Sequence, residues 1–294
     1  MKLTIVSCFY KINTNGCILK HQWESYIKWM TNFLMIVKNF NLVIFMDKYT
    51  YDYICHHKLN EIIDSKSDKI KIIFKEKKNF YCYQYKDYFI KNKINIQLHD
   101  YDKMSWELNL VWSEKLNFVS DVIHKKIFDT EYYAWCDIGY FRNDPKGDLK
   151  VDELTEWGNN IKIIDNPQDK DKIVYGCPYK NFEPVKVWNN LIKKGVKFIL
   201  DNNINAFNEI YPRSVAGGFF ILHKTKINWW CEKYYSILSL YVKTKSILYH
   251  DETILSICVA LYPEHFKIFI EKNPNFDDTW RQFQRYLLEG YYNI

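Results

Sequence analysis

From Leu3 to Phe9 the chain carries a short, nearly continuous apolar run, the pattern of a strand covered on both faces within a parallel sheet. Trp23, Tyr26, Ile27, Met30, Phe33, Leu34 and Val37 then recur at three-four spacing, which predicts an amphipathic helix. A second buried strand is expected over Leu42–Met46, ending at Asp47. A weaker helical pattern runs through Cys55, Leu59, Ile62 and Ile63, and a third strand follows at Ile70–Phe74. This β-α-β-α-β alternation predicts an α/β fold with a mostly parallel central sheet, flanking helices, and ligands beyond the carboxyl ends of the strands. Those ends lie at Cys8–Lys11 and Asp47–Tyr49.

Residues 77–102 are dense in Tyr, Lys and Asp without a clear period, and read as an irregular excursion or lid. A single helix is expected from an N-cap at Ser105 through Leu108, Val111, Trp112, Leu116, Val119 and Val122, delivering the chain to a strand at Tyr132–Cys136. The middle of the chain shows only a polar stretch at Asn143–Gly147 and two short strand-like runs, Lys162–Ile164 and Ile173–Tyr175. Order returns with a strand over Ser214–Leu222 containing Gly217-Gly218. A helix follows with Ile227, Trp230, Tyr234, Leu238 and Tyr241 on one face, then another that begins at His250-Asp251-Glu252 and carries Ile254, Leu255, Cys258 and Leu261. No internal repeat or low-complexity tract is present. The expected organisation is one domain over residues 1–294, with residues 1–140 forming a donor half and 141–294 an acceptor half.

Composition narrows this picture in three respects. Apolar residues make up 48% and charged residues 26%, which excludes disorder. Aromatic content is 18%, so rings pack on rings and some face solvent, where they suit sugars, bases and proteins alike. Net charge is +6, yet only Arg142, Arg213, Arg281 and Arg285 among 41 basic residues are Arg. Lys, Ile, Asn and Tyr share AT-rich codons, so this bias points to an AT-rich genome such as that of some large DNA viruses. Scarce Arg also weighs against nucleic-acid recognition, which favours bidentate guanidinium contacts. The eight cysteines (8, 17, 55, 82, 136, 177, 231 and 258) show no tight metal spacing and read as reduced core residues. The opening residues resemble neither a signal peptide nor a membrane span, so a cytoplasmic protein is expected.

Three constellations could carry chemistry. Asp137 ends an apolar strand at the ligand-binding edge, where a carboxylate can hold a divalent cation, Mn²⁺ or Mg²⁺, on a diphosphate. The competing reading is an Asp that bonds its own turn. Gly139 stands where an Asp-x-Asp motif would carry its second acid. Gly217 and Gly218 let a sugar approach the backbone, while His250, Asp251 and Glu252 at a helix start could serve an acceptor hydroxyl; capping alone also favours acids there. Trp112 and Lys115 lie on the helix before the Asp137 strand, and Lys115 could reach a phosphate or remain a solvated flank. Phosphate-loop, dinucleotide-fingerprint, nucleophile-elbow and zinc-protease motifs are all absent.

Thr4–Tyr10, Val111-Trp112-Ser113-Glu114-Lys115, Trp135-Cys136-Asp137-Ile138-Gly139, Ala216–Phe220 and His250-Asp251-Glu252 occur in this order. The set resembles the HtrL/YibB-like family of glycosyltransferase-like proteins, over most of the chain. The resemblance implies a GT-A-type fold and a nucleotide-sugar donor contacted near Cys8, Phe9, Tyr10, Asp47, Lys115 and Asp137. The function expected is transfer of a hexose or N-acetylhexosamine, from a UDP-sugar above all, to a hydroxyl of a glycan, lipid or protein. In that reading Asp137 holds the cation, Trp112, Lys115 and Gly139 complete the donor side, and Gly217, Gly218 and His250 line the acceptor side. Asp251 or Glu252 is then the catalytic acid or base. The alternative is a non-catalytic glycan-binding or virion-associated protein. A third reading, nucleic-acid binding through Lys75–Lys93, is the weakest.

Overall fold

The computed structural model describes residues 2–12, 21–97, 105–145, 148–161, 169–202, 214–272, 275–276 and 279–288. Strand β1 (Leu3–Cys8) is buried at every position. Helix α1 (Trp23–Met35) covers one face of the sheet through Trp29, Met30, Phe33 and Leu34. Strand β2 (Asn41–Met46), also wholly buried, pairs parallel to β1. The weak helical pattern that follows is two helices, α2 (Lys48–His56) and α3 (Leu59–Ser65), because Lys58 between them adopts φ 59° and breaks the helical path. Strand β3 (Ile70–Phe74) pairs parallel to β2 and forms one edge of the sheet.

The region expected to be irregular contains helix α4 (Lys86–Gln97), docked on the segment before Asp251. Asn92 receives Leu248 N at 2.8 Å and donates to Leu248 O at 2.6 Å, so the arm is tied by a reciprocal pair of buried amide bonds. Residues 98–102 of the expected excursion fall outside the described residues. The next helix is also divided, into α5 (Trp106–Ser113), capped by Ser105, and α6 (Lys115–His124). The break is at Glu114, wholly buried. Its carboxylate accepts from Tyr81 N and Cys82 N at 2.9 Å each and from Asn117 Nδ2 at 2.7 Å, and pairs with Lys75 at 3.1 Å.

Strand β4 (Tyr132–Cys136) lies parallel to β1 on the side away from β2. Beyond it come β5 (Ile173–Gly176), helix α7 (Glu183–Asn202), β6 (Ala216–His223), helix α8 (Ile227–Thr244), helix α9 (Asp251–Leu261), β7 (Phe266–Phe269) and the short helix α10 (Phe283–Tyr286). The sheet order is β3-β2-β1-β4-β6-β5-β7, with β6 antiparallel to both of its neighbours and every other pairing parallel. One mostly parallel α/β sheet thus runs through both expected halves. The strand-like run at Lys162–Ile164 lies outside the described residues. Two apolar layers cover the sheet. One gathers Leu110, Phe118, Trp230, Tyr234 and Ile254; the other gathers Met30, Phe33, Phe40, Trp157 and Phe283. The seven described cysteines are free, and Cys17 lies outside the described residues. No helix among the described residues is long and apolar enough to cross a membrane.

Candidate active site

Strand alternation puts Trp135 and Asp137 on one side of the sheet, facing α6. There Trp135 Nε1 donates to Asp137 Oδ1 at 2.7 Å, and the indole stacks on Phe118. The Asp137 backbone bonds Gly218 O at 2.9 Å through its N–H, and its carbonyl receives Tyr140 N at 2.9 Å. Asp137 is therefore held by backbone on two sides while its carboxylate remains 38% exposed. No hydrogen bond or ion pair from the described residues reaches its Oδ2.

Lys115, the first residue of α6, points at this carboxylate. Only 5% exposed, its ammonium donates to Gly217 O at 3.0 Å and lies 2.9 Å from Asp251 Oδ2 and 3.2 Å from Asp137 Oδ1. Burial alone would depress its pKa, but Asp137, Asp251 and Glu252 outweigh burial and raise it, so the side chain stays charged. The ammonium is hydrogen-bonded to one protein oxygen and ion-paired with two more. Lys115 thus links β4, β6 and α9, and a phosphate would have to displace one of these partners.

Asp251, the first residue of α9, is 3% exposed. Burial pushes its carboxyl up to about 7, against the opposing pull of Lys115. Glu252 is half-buried and lies over the sheet: a Cβ added to Gly217 would sit 3.0 Å from Glu252 Oε1. A Cβ on Gly218 would lie 3.5 Å from Asp137 Oδ2, so glycine leaves room beside that oxygen. Trp112 is half-buried and lines the same cavity as Lys115, Gly217 and Asp251. Among the described residues no hydrogen bond reaches Asp137 Oδ2 or the Glu252 carboxylate, and the buried Asp251 Oδ2 has only its ion pair with Lys115. Among the described residues no three His, Cys, Asp or Glu side chains converge as a ready-made metal centre.

Other expected residues are placed differently. Cys8 is buried at the end of β1 with its thiol pushed up by burial and by Asp137, so it is no thiolate. Phe9 packs against Trp23 and Tyr26. Tyr10 is a core residue whose hydroxyl donates to Lys75 O at 2.8 Å and whose ring lies between Phe80 and Phe118. Asp47 caps α2, accepting Thr50 N at 2.7 Å. His250 occupies the N-cap position of α9 beside Tyr249, without a side-chain capping bond.

Gly139 packs against α1. An added Cβ would meet the Trp29 ring at 3.0 Å, so the place of a second acid is filled by an indole. Gly139→Asp is accordingly expected to lower stability by about 1–3 kcal/mol through overpacking. Thermal denaturation with Trp fluorescence checks this, and a variant of unchanged Tm would contradict it.

Pattern reading missed Glu114 and the arginines. Arg142 lies over the Trp29 ring at 4.6 Å and donates to Gly139 O at 2.8 Å, while Arg281 pairs with Asp148 and Arg285 with the buried Glu271. Their rarity was the available signal. In a chain where Lys is the default cation, an Arg marks a place that needs a planar, multidentate donor.

The Asp251 shift has a testable sign. Its folded carboxyl binds a proton more tightly than the unfolded one, so its contribution is fully present below about pH 4 and is lost as pH rises through about 7. Relative to Asp251→Asn, the wild-type unfolding free energy should therefore fall between pH 4 and 8, by about 4 kcal/mol at most. Denaturant titrations of both proteins across that range measure the difference. Parallel pH profiles would refute it.

Several solved structures are similar in fold. Mouse xyloside xylosyltransferase 1, in its apo form, is 13% identical with TM-score 0.44, over 92% of this chain and 85% of that one. The galactosyltransferase LgtC in complex with donor and acceptor sugar analogs is 10% identical with TM-score 0.42, over 95% and 83%. The 4-diphosphocytidyl-2C-methyl-D-erythritol synthase of Anaerococcus prevotii is 10% identical with TM-score 0.37, over 96% and 94%. No curated protein matches the sequence. Residues 1–157, which carry β1 to β4, Lys115, Asp137 and Trp157, match the family described as "Bacterial protein of unknown function (HtrL_YibB)", and the protein belongs to that family.

Proposed function

We propose that the protein is a nucleotide-sugar-dependent glycosyltransferase, moving a hexosyl or N-acetylhexosaminyl group from a UDP-sugar to a hydroxyl of a glycan, lipid or protein. The observation that carries this reading is the open Asp137 Oδ2 at the carboxyl end of β4, flanked by the bare Gly218 and held by Trp135 and Lys115. A parallel sheet binds ligands at this edge, and a carboxylate fixed there is pre-positioned for a diphosphate-bound cation.

A divalent cation, Mn²⁺ or Mg²⁺, suits this donor set when it arrives with its diphosphate. Mg²⁺ commonly takes one or two carboxylates and completes its shell with waters and phosphate oxygens, and Asp137 would supply one such carboxylate. When bound, the cation would neutralise charge on the departing diphosphate. Lys115 acts as a positioning residue, fixing Asp137 and Asp251 relative to Gly217. Glu252, more open than Asp251, takes the proton of the acceptor hydroxyl as its oxygen bonds the anomeric carbon and the bond to the diphosphate breaks. Asp251 holds Lys115 and adds negative charge behind Glu252.

Calorimetric titration with UDP, GDP, CDP and ADP, each with and without Mn²⁺, tests the donor side. Binding of one diphosphate that weakens in Asp137→Asn is expected. Absence of binding to all four, with and without metal, would sink the reading.

A further inference from the structure

Among the described residues seven large apolar side chains are exposed, and three of them cluster at one helix: Phe182 just before α7 (40% exposed), and Val187 (57%) and Leu191 (43%) within it. Val187 and Leu191 are one turn apart on the same side. The opposite side of α7 is spent on packing, since Val185 and Ile192 are buried. Lys186, Lys193 and Lys194 are exposed along the outer side. Residues 180–197 hold five lysines against a single acid, Glu183, so the strip is locally cationic. That acid is already paired with Lys186 at 2.7 Å.

We propose that the outer face of α7 docks the protein peripherally on an anionic lipid surface. The chemistry matches from both sides. Phe182, Val187 and Leu191 enter the boundary between headgroups and acyl chains, while the lysines keep their ammonium groups among the phosphates and lay their stems along the apolar strip. Docking would orient the site as well. Helix α7 packs on α9, which begins at Asp251, and Asn189 on α7 receives the hydroxyl of Ser214, whose N–H bonds Ser256 on α9 at 2.8 Å. The lipid surface therefore lies on the α9 side of the candidate site. This proposal does not depend on sugar transfer.

Co-sedimentation of the full chain with vesicles of phosphatidylcholine alone, and of phosphatidylcholine with about one third phosphatidylglycerol, tests it. At low salt, partitioning onto the anionic vesicles should be at least about tenfold stronger and should weaken as salt is added. Val187→Asp/Leu191→Asp and Lys193→Glu/Lys194→Glu should each reduce it about tenfold. Circular dichroism confirms folding, and Lys193→Gln/Lys194→Gln replaces any variant that fails to fold. Equal partitioning onto both vesicle types would overturn the proposal, as would folded variants that bind like the wild type. Sedimentation velocity supplies a further arm: a dimer abolished by Leu191→Asp, without vesicle binding, would assign the face to a second copy instead. Nucleotide titration of the same preparations keeps a failure here separate from a failure of the transferase reading.

Discussion

Lys115→Met is expected to lower the unfolding free energy by about 3–5 kcal/mol at pH 8, the usual cost of removing one partner from a buried charge cluster. The wild-type ammonium sits within 3.2 Å of Asp137 Oδ1, Asp251 Oδ2 and Gly217 O. Methionine fills similar volume but leaves the buried Asp251 without its cation, and Gly217 O without its donor. The loss should be smaller at pH 5, because Asp251, already shifted towards neutral pH, can then take up a proton and shed its charge. Lys115→Met/Asp251→Asn should recover part of it, giving a coupling energy in a double-mutant cycle. Urea denaturation at the two pH values measures all of these terms. A cost below about 1 kcal/mol, equal at both pH values, would show Lys115 to be a solvated flank after all.

Asp137→Asn is expected to reduce sugar transfer or donor hydrolysis by about 10²–10³-fold while changing stability little, because only the charge at the reacting edge is lost. The amide oxygen can still receive Trp135 Nε1, and Lys115 keeps Asp251 and Gly217 O. The preferred diphosphate should bind more weakly in the presence of Mn²⁺, with a smaller change in its absence. A variant of unaltered turnover and unaltered metal response would remove Asp137 from the chemistry and leave it as a turn residue.

These two residues also mark how far the sequence could be read. The parallel core was legible because β1, β2 and β4 are buried on both faces and therefore appear as unbroken apolar runs. Asp137 stood out for a related reason: such a run places the acid that follows it at the ligand-binding edge of the sheet. The direction of Lys115 was not legible. One helix was expected from 105 to 122, and a continuous helix gives no sign of the break at Glu114 that starts α6 at Lys115. At that position the backbone stays close to helical, while the Glu114 carboxylate binds the backbone of Tyr81 and Cys82, a contact more than thirty residues away in sequence. Helix α7 was not among the expected elements, and neither was α4, which is tied by tertiary amide bonds from Asn92. Asp47 and Tyr10, expected near the donor from their place at strand ends, also have structural partners: Asp47 caps α2 and Tyr10 bonds Lys75 O within the core.

The loop after Asp137 is closed from far along the chain. Tyr140 receives Phe283 N on its hydroxyl and Gln284 Nε2 on its carbonyl, Gln284 Oε1 takes Leu149 N, and Trp157 Nε1 donates to Phe283 O. During synthesis on the ribosome, β1 to β4 can assemble early and the turn at Asp137 can close on itself and on Arg142, yet its bonds to residues 279–288 wait until those emerge, some 140 residues later. A nascent chain paused before that point would hold its sheet and lack these bonds to the loop after Asp137. The same vectorial logic makes a fragment ending near residue 157 a poor substitute for the whole, although the family match itself ends there.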